Sequence, residues 1–154
     1  MARAADIEWM EKALQYAAAN SNDPRTQNGA VIVTWGAGGH NPGEPHFALA
    51  ANRFPEGLRA SIQVTDARLD PATKLTYMEH AERGAIYAAA RDRLSTYGAT
   101  MYCPWFACVD CARAIICSGI ARVVGLKKPR LLTPERWRAT IEQADALLAE
   151  AHVQ

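Results

Sequence analysis

The sequence predicts a three-layer α/β/α domain with a mixed sheet of about four to five strands. Helical and strand patterns alternate along most of the chain, which is typical of strands joined by helical crossovers. Near the N-terminus, by contrast, two strand patterns are separated only by a turn-rich loop, so this pair is expected to be antiparallel. We expect a single domain over residues 1–154, because that length is typical of one domain.

The first element is predicted to be a helix over residues 6–20. Its apolar residues recur at helical spacing, with Ile7, Met10 and Leu14 on the expected buried face. Asp6 is the expected N-cap, because a side-chain oxygen there can accept from the first free backbone N–H groups. Alanine-rich composition at the end of the segment also favours a helix.

A strand hairpin and a long loop follow the first helix. Strands are predicted from residue 29 to 33 and over residues 47–51, on either side of a Gly- and Pro-rich loop at 35–45. Residues 58–74 show no clear period, and we interpret them as a loop with a short helical piece near 66–69. Loops of this length are usually functional, so we expect a lid over a pocket.

The second half of the chain alternates helices and strands. A basic loop is expected at residues 127–130. Thr133 and Pro134 predict the capped start of the last helix. That helix carries an apolar stripe that includes Trp137 and Ile141. In order, we predict helix 79–94, strand 100–103, helix 110–117, strand 120–126 and a helix from residue 133 to about 151.

Composition and charge exclude several classes of function. The net charge is +1, and the one short basic cluster, at residues 127–130, is expected to be solvated, so nothing indicates nucleic-acid binding. No apolar run approaches the roughly 20 residues of a membrane span, and the first six residues do not resemble a signal peptide. We therefore expect a cytoplasmic protein that binds neither nucleic acid nor membrane.

Four residues in the middle of the chain indicate a metal centre. Cys108 and Cys111 form a C-x-x-C pair, which together with His80 indicates metal binding in a reducing compartment. At helix N-termini these side chains can converge, and the helix dipole stabilises thiolates there. Three protein ligands leave the fourth zinc position open, as in catalytic sites. Glu82 is the spare carboxylate that would move protons.

The remaining cysteines and two histidines have simpler expected roles. Cys103 falls in a predicted strand and Cys117 in a predicted helix, and both are expected to be buried small side chains. His40 and His46 lie in or beside the turn-rich loop. We interpret them as ordinary loop histidines, although a second metal ion is an alternative.

The order H-x-E followed by C-x-x-C, within the stretch from Met101 to Ile120, resembles the deoxycytidylate (dCMP) deaminase family of the zinc-dependent cytidine deaminase-like superfamily. The resemblance covers roughly residues 6–151 and implies a cytidine deaminase-like fold. That fold has one further strand, which residues 152–154 would begin where the sequence ends.

Two more stretches resemble substrate loops of that family. Residues 21–30 resemble an S-x-D-P-x-T-x-V-G-A motif that lines the pocket, and residues 52–57 resemble an N-G-F-P-x-G loop that holds sugar and phosphate. Gly29 would let a ligand approach the main chain, since it has no Cβ. The resemblance and the aromatic pair near the metal ligands together imply substrate contacts from Asn28, Gly29, Ala30, Asn52, Arg53, Tyr77, Ala81, Trp105 and Phe106.

The chain departs from the family pattern at five positions. Asn28 replaces a usual valine, and Arg53 replaces a glycine but could supply positive charge for a phosphate. Glu56 stands where a basic residue is common and would repel a phosphate. Gly84 replaces an asparagine and indicates a close contact, whereas Ala107 replaces the proline that restrains the entry to the second zinc helix.

The resemblance implies hydrolytic deamination of dCMP to dUMP and ammonia, in pyrimidine nucleotide metabolism. In that reaction zinc activates water as hydroxide and Glu82 shuttles the protons. Identical chains are the expected partners, in an assembly between a dimer and a hexamer, and the substrate is a small nucleotide.

Three alternatives stay open from the sequence. The departures could shift the substrate to a free base, a nucleoside or a modified nucleotide. A base within tRNA is a second possibility, which the near-neutral charge disfavours. A zinc ion that only braces a binding module is a third, and the spare Glu82 disfavours it.

Overall fold

The computed structural model describes residues 4–35, 43–58 and 67–154. Four strands and six α-helices occur in these ranges, together with short 3-10 helices at Glu56–Leu58 and Ala67–Leu69. In chain order they are α1 (Ala4–Asn20), β1 (Gly29–Trp35), β2 (Pro45–Ala51), α2 (Lys74–Tyr77), α3 (Ala81–Arg91), β3 (Thr100–Tyr102), α4 (Val109–Cys117), β4 (Arg122–Val124), α5 (Lys127–Leu131) and α6 (Glu135–Glu150).

The strands form one mixed sheet in the order β2-β1-β3-β4. β1 is antiparallel to both β2 and β3, whereas β3 and β4 are parallel and are joined by α4. Val31 and Val33 of β1 pack against α1 on one face of the sheet. Ala30 and Ile32 point the other way into the core beneath α3 and α4. The three-layer α/β/α prediction and its mixed sheet are therefore confirmed.

Helix α1 is rotated relative to the prediction. Its buried side chains include Trp9, Met10 and Ala13, whereas Ile7 and Leu14 are 52% and 43% exposed. Apolar residues are spread around much of this helix, so its spacing alone allows more than one buried face. The face that is buried packs Trp9, Met10 and Ala13 against Val31, Val33 and Tyr102 of the sheet.

Asp6 is not the N-cap, because α1 begins two residues earlier. Its buried carboxylate accepts hydrogen bonds from both terminal nitrogens of Arg122, at 2.8 Å each, and from the Tyr102 hydroxyl at 3.0 Å. This ion pair raises the pKa of Arg122, and burial together with the Asp6 hydrogen bond raises the pKa of Tyr102. Asp6 thus ties α1 to β3 and β4 across the sheet.

Two glycines allow helices to lie close to the sheet. A Cβ at Gly29 would lie 2.3 Å from the Ala13 carbonyl oxygen of α1, so the space that the sequence assigned to a ligand is occupied by a helix. A Cβ at Gly84 would lie 3.0 Å from the Ala50 Cβ, which confirms the close contact expected there. Gly29 is therefore explained by helix packing.

The C-terminal region completes the layer that contains α3 and α4. Helix α6 packs on α4, and the Thr140 hydroxyl accepts from the Val109 N–H at 3.1 Å, at the start of α4. Gln154 exchanges two backbone hydrogen bonds with the edge of β4, at 2.7 and 3.0 Å, as expected for the start of a further strand. None of the helices in the described ranges has the length and apolar character needed to cross a membrane.

A few local predictions are wrong or untested. The basic stretch 127–130 is helical rather than a loop, and Pro134 is the N-cap of α6, without a side-chain cap hydrogen bond. A short helix, α2, begins at the last residue of the predicted loop 58–74 and ends before the predicted helix 79–94, so it was not predicted. The helical piece predicted near 66–69 is present as a 3-10 helix. His40, in the predicted hairpin loop, and residues 59–66 of the proposed lid lie outside the described residues.

Replacing Gly29 with alanine is expected to destabilise the fold by about 2–3 kcal/mol, because the added methyl group must displace the α1 backbone. Urea denaturation of Gly29→Ala measures this loss. Gly57→Ala is the matched control, since nothing lies within 4 Å of its added Cβ, and its effect should stay within about 0.5 kcal/mol. Equal stability of the two variants would contradict the packing role of Gly29.

Candidate metal centre and adjoining cleft

Two helix N-termini bring the three expected metal ligands together. His80 is the N-cap of α3, Cys108 is the N-cap of α4, and Cys111 lies in the first turn of α4. The His80 Nδ1 atom lies 3.6 Å from each of the two Sγ atoms, which are themselves 3.6 Å apart. Although Ala107 replaces the family proline, Cys108 keeps an extended N-cap backbone, with φ −76° and ψ 171°.

These separations fit a zinc ion. Tetrahedral zinc with Zn–S bonds of about 2.3 Å and Zn–N bonds of about 2.0 Å requires S···S separations of about 3.8 Å and N···S separations of about 3.5 Å. All three observed separations are 3.6 Å. Within the part of the chain that the structure describes, these residues form the one cluster of at least three potential metal ligands.

The electrostatics of the cluster favour a bound cation. The hydrogen bond between the two thiols lowers the pKa of Cys108 to about 3, and the contact with His80 lowers it as well. The same Cys108 contact raises the pKa of His80. The contact with Cys108, together with burial, raises the pKa of Cys111. One thiolate is therefore already favoured at neutral pH, and a metal ion would replace the shared proton.

Glu82 lies in the first turn of α3, two residues beyond His80. Its side chain is 2% exposed, and its Oε2 atom has no hydrogen-bond partner in the described structure. Burial raises the pKa of Glu82 to about 7. The carboxylate is consequently a buried proton donor and acceptor that is not among the clustered metal ligands.

The metal cluster lies at a narrow cleft with a cavity of about 90 Å³. Glu82, His80 and Cys108 line it, and four predicted substrate contacts do so as well: Asn28, Asn52, Trp105 and Phe106. The structure does not bring the other five to the cleft: Gly29, Ala30, Arg53, Tyr77 and Ala81.

Asn28 holds a loop of the cleft in place. Its Nδ2 donates to the Cys103 Sγ at 3.1 Å, and its Oδ1 accepts from the Trp105 N–H at 3.2 Å. The side chain is only 5% exposed. Asn28 therefore ties the start of β1 to the loop that carries Trp105 and Phe106, a connection that valine could not make.

Asn52 connects the end of β2 to the start of α3. Its Oδ1 accepts from the Ala81 N–H at 2.9 Å, and its Nδ2 donates to the Thr26 carbonyl at 3.0 Å. The Ser21 hydroxyl donates to the Asn52 carbonyl at 2.8 Å. Ala81 itself is buried in the core, so its backbone, not its side chain, takes part in the arrangement.

Arg53 and Tyr77 lie away from the metal cluster. Arg53 lines a separate cavity with Glu56, Glu79 and Tyr87, and its buried Nε has no hydrogen-bond partner in the described structure. Tyr77 is 36% exposed and packs against the Phe54 ring at 6.1 Å. Ala30, like Gly29, is accounted for by packing, because it lies in the core beneath α3.

Sequence reasoning missed several residues of the cleft. Lys74 forms a buried ion pair with Asp23 at 2.5 Å, yet it lies in a stretch with no recognisable period. Trp137, whose ring centroid is 6.2 Å from that of His80, is predicted by its spacing only as part of an apolar helical stripe. Arg136 precedes it at the start of α6. Packing of α6 on α4 brings these last two to the metal centre.

The remaining cysteines and His46 lie outside the cluster. Cys103 is buried as expected, and burial raises the pKa of its thiol. Cys117 is exposed, so its predicted burial is wrong: it is the last residue of α4 and lies on the solvent side. His46 is part of β2, opposite Thr34 of β1.

Comparison with known proteins agrees with this geometry. Residues 3–127 match the cytidine and deoxycytidylate deaminase zinc-binding region. Human deoxycytidylate deaminase is 31% identical over 125 residues, which are 77% of this chain and 64% of that protein. An uncharacterised deaminase of Aliivibrio fischeri is 31% identical over 136 residues, which are 87% of this chain and 80% of that protein. The chain thus spans less than two thirds of the human relative's length.

A solved structure shares the same fold over the full chain. The dCMP deaminase of cyanophage S-TIM5, in complex with dCMP and dUMP, superposes with a TM-score of 0.68 at 20% identity. The match covers 100% of this chain and 96% of that one.

Purified protein loaded with zinc is expected to bind one ion per chain. The variants Cys111→Ser and His80→Ala should lose this zinc, because the two remaining ligands hold zinc poorly. Metal analysis after dialysis and the sulfur-to-metal absorption of the cobalt-substituted protein measure the occupancy. Cys117→Ser is the matched control and should retain the ion, since Cys117 is exposed and outside the cluster. Full occupancy in Cys111→Ser would refute the ligand assignment.

Proposed function

Because the chain belongs to the cytidine and deoxycytidylate deaminase family, we propose that it hydrolyses dCMP to dUMP and ammonia. The observation that carries this proposal is the position of Glu82, a buried carboxylate at the cleft beside a metal cluster of only three ligands. A structural zinc site would have a complete set of four protein ligands and no need for the carboxylate.

The chain's own residues can perform the proton transfers of this reaction. His80, Cys108 and Cys111 would hold zinc, which when bound supplies Lewis-acid activation of water. Glu82, with a pKa of about 7, can accept a proton from the attacking water near neutral pH. It would pass this proton to N3 of the ring, accept the second proton of the added water oxygen, and deliver that one to the departing amino group. One water molecule is consumed, the C4–N bond breaks, and a C4–O bond forms.

Aromatic side chains provide the walls for a base. Trp105 and Phe106 come from the loop before α4, and Trp137 comes from α6. Arg130 lies over the Phe106 ring at 4.4 Å from its centroid, which helps to fix that ring. Flat apolar walls beside a polar floor suit a pyrimidine ring whose exocyclic amine points towards the metal cluster.

The choice of dCMP among cytosine compounds rests on sequence relatives. The human relative, at 31% identity, is named a deoxycytidylate deaminase. We also propose, from the family resemblance, that identical chains assemble into a multimer between a dimer and a hexamer. A cytoplasmic location is proposed because the C-x-x-C pair serves as a metal site, which is typical of a reducing compartment.

Glu82→Gln is expected to lower kcat for dCMP by at least about 10³-fold, because general acid–base catalysis contributes on this scale and the amide cannot carry the proton. Ammonia release from the zinc-loaded protein measures the rate. Glu135→Gln is the matched control, since Glu135 is exposed and pairs with Arg138. Zinc content should be unchanged in both variants.

The substrate assignment requires a wider panel. dCMP, deoxycytidine, CMP, 5-methyl-dCMP, guanine and adenosine should be compared, with dCMP turned over fastest. Turnover of another compound with dCMP inactive would retain the zinc chemistry and overturn the proposed substrate. Equal turnover by wild type and Glu82→Gln would overturn the role of Glu82.

A further inference from the structure

A second cavity adjoins the catalytic cleft on the side of α6. Its volume is about 260 Å³, and it shares Lys74, Leu75, Arg136 and Trp137 with the cleft. Its other lining residues are Arg25 and Pro71. Trp137 lines both spaces and its ring centroid lies 6.2 Å from that of His80, so the cavity adjoins the side of the cleft that holds the metal cluster.

The cavity carries an excess of positive charge. Lys74 is neutralised by its buried ion pair with Asp23 at 2.5 Å. Arg25 and Arg136 are exposed, and neither guanidinium has an ion pair or a side-chain hydrogen bond within the described residues. The two guanidinium groups therefore leave about two positive charges facing the cavity.

Both arginines are held on ordered supports. The Asp23 Oδ1 accepts from the Arg25 N–H at 2.9 Å and from the Thr26 N–H at 3.1 Å, so a tight turn presents Arg25. Lys74 bonds the other Asp23 oxygen and fixes the same carboxylate from α2. Arg136 lies in the first turn of α6, and that helix is anchored to α4 through Thr140.

We propose that Arg25 and Arg136 bind the phosphate of the nucleotide whose base lies in the catalytic cleft, and so determine the preference for a nucleoside monophosphate over a nucleoside. This inference rests on the proposed deaminase function. A phosphate monoester carries about 1.5 to 2 negative charges at pH 7, which two guanidinium groups can neutralise. Arginine also presents paired N–H groups that match phosphate oxygens.

The position of these residues differs from the one expected from sequence. Arg53, the expected phosphate ligand, lines a separate cavity that also contains Glu56 and Glu79. Arg136 lies beyond residues 3–127, the range that matches the zinc-binding region of the family. The family match therefore assigns no role to Arg136, and only the packing of α6 brings it to the cleft.

The test compares Arg25→Gln, Arg136→Gln and the double variant with wild type, using kcat/KM for dCMP and for deoxycytidine. Each charge-assisted hydrogen bond to phosphate is worth about tenfold in this ratio. The ratio of kcat/KM for dCMP over deoxycytidine should fall about tenfold in each single variant and about 100-fold in the double variant. Arg138→Gln is the control with an unchanged ratio, because Arg138 pairs with Glu135 away from the cavity.

A fall in the ratio with Arg53→Gln, without one in the double variant, would overturn the proposal and place the phosphate at the other cavity. An equal loss for dCMP and deoxycytidine in the double variant would also overturn it, because that pattern indicates a structural effect.

Calorimetric titration separates failure of this inference from failure of the deaminase assignment. If wild type turns over no cytosine compound, the deaminase proposal fails, and binding of dCMP, deoxycytidine and inorganic phosphate then decides the phosphate site. dCMP binding that is tighter than deoxycytidine binding and is weakened in the double variant supports the site. Equal dCMP binding by wild type and the double variant, or binding of inorganic phosphate that dCMP does not displace, overturns it.

Discussion

The convergence of two helix N-termini is the constraint on which the rest of the structure depends. His80 and Cys108 are the N-cap residues of α3 and α4, so both helices must start at the same point above the sheet. Helix α3 lies close to β2 because Gly84 has no side chain, and α4 enters from the parallel β3–β4 pair. N-terminal dipoles from both helices favour anionic sulfur ligands there. The sheet topology and the metal chemistry are therefore two consequences of one arrangement.

Around the metal cluster, polar side chains fix segments that lie outside the regular secondary structure or at its ends. Asn28 fixes the loop before Cys108, Asn52 fixes the start of α3, and Asp23 fixes the turn that carries Arg25. All three are buried, and each bonds backbone N–H groups that would otherwise be unsatisfied. Asparagine at position 28 therefore changes the support of the cleft as well as its lining. A family motif that has valine there must hold the same loop by other contacts.

Local patterns predict the fold and the metal ligands well, and for physical reasons. An apolar, β-branched run marks β1, and ligand spacing with helix-start chemistry marks His80, Cys108 and Cys111 as one cluster. The features that local patterns miss depend on distant parts of the chain. Asp6 meets Arg122 from 116 positions away, and Lys74 meets Asp23 from 51 positions away. A single sequence contains no local signal for such pairs, since each residue alone resembles a solvated charge.

The structure changes the interpretation of Glu56, one of the positions at which the chain departs from the family pattern. Within the resemblance to the N-G-F-P-x-G loop, an acidic residue argues against a phosphate-bearing substrate. The structure places Glu56 beside Arg53 and Glu79, in a cavity apart from the one that Glu82 lines. An acidic side chain in that position does not line the cleft that holds Glu82, so its charge does not argue against the proposed nucleotide there. The proposed preference for a monophosphate depends instead on charges beside the cleft, where Arg25 and Arg136 line the adjoining cavity.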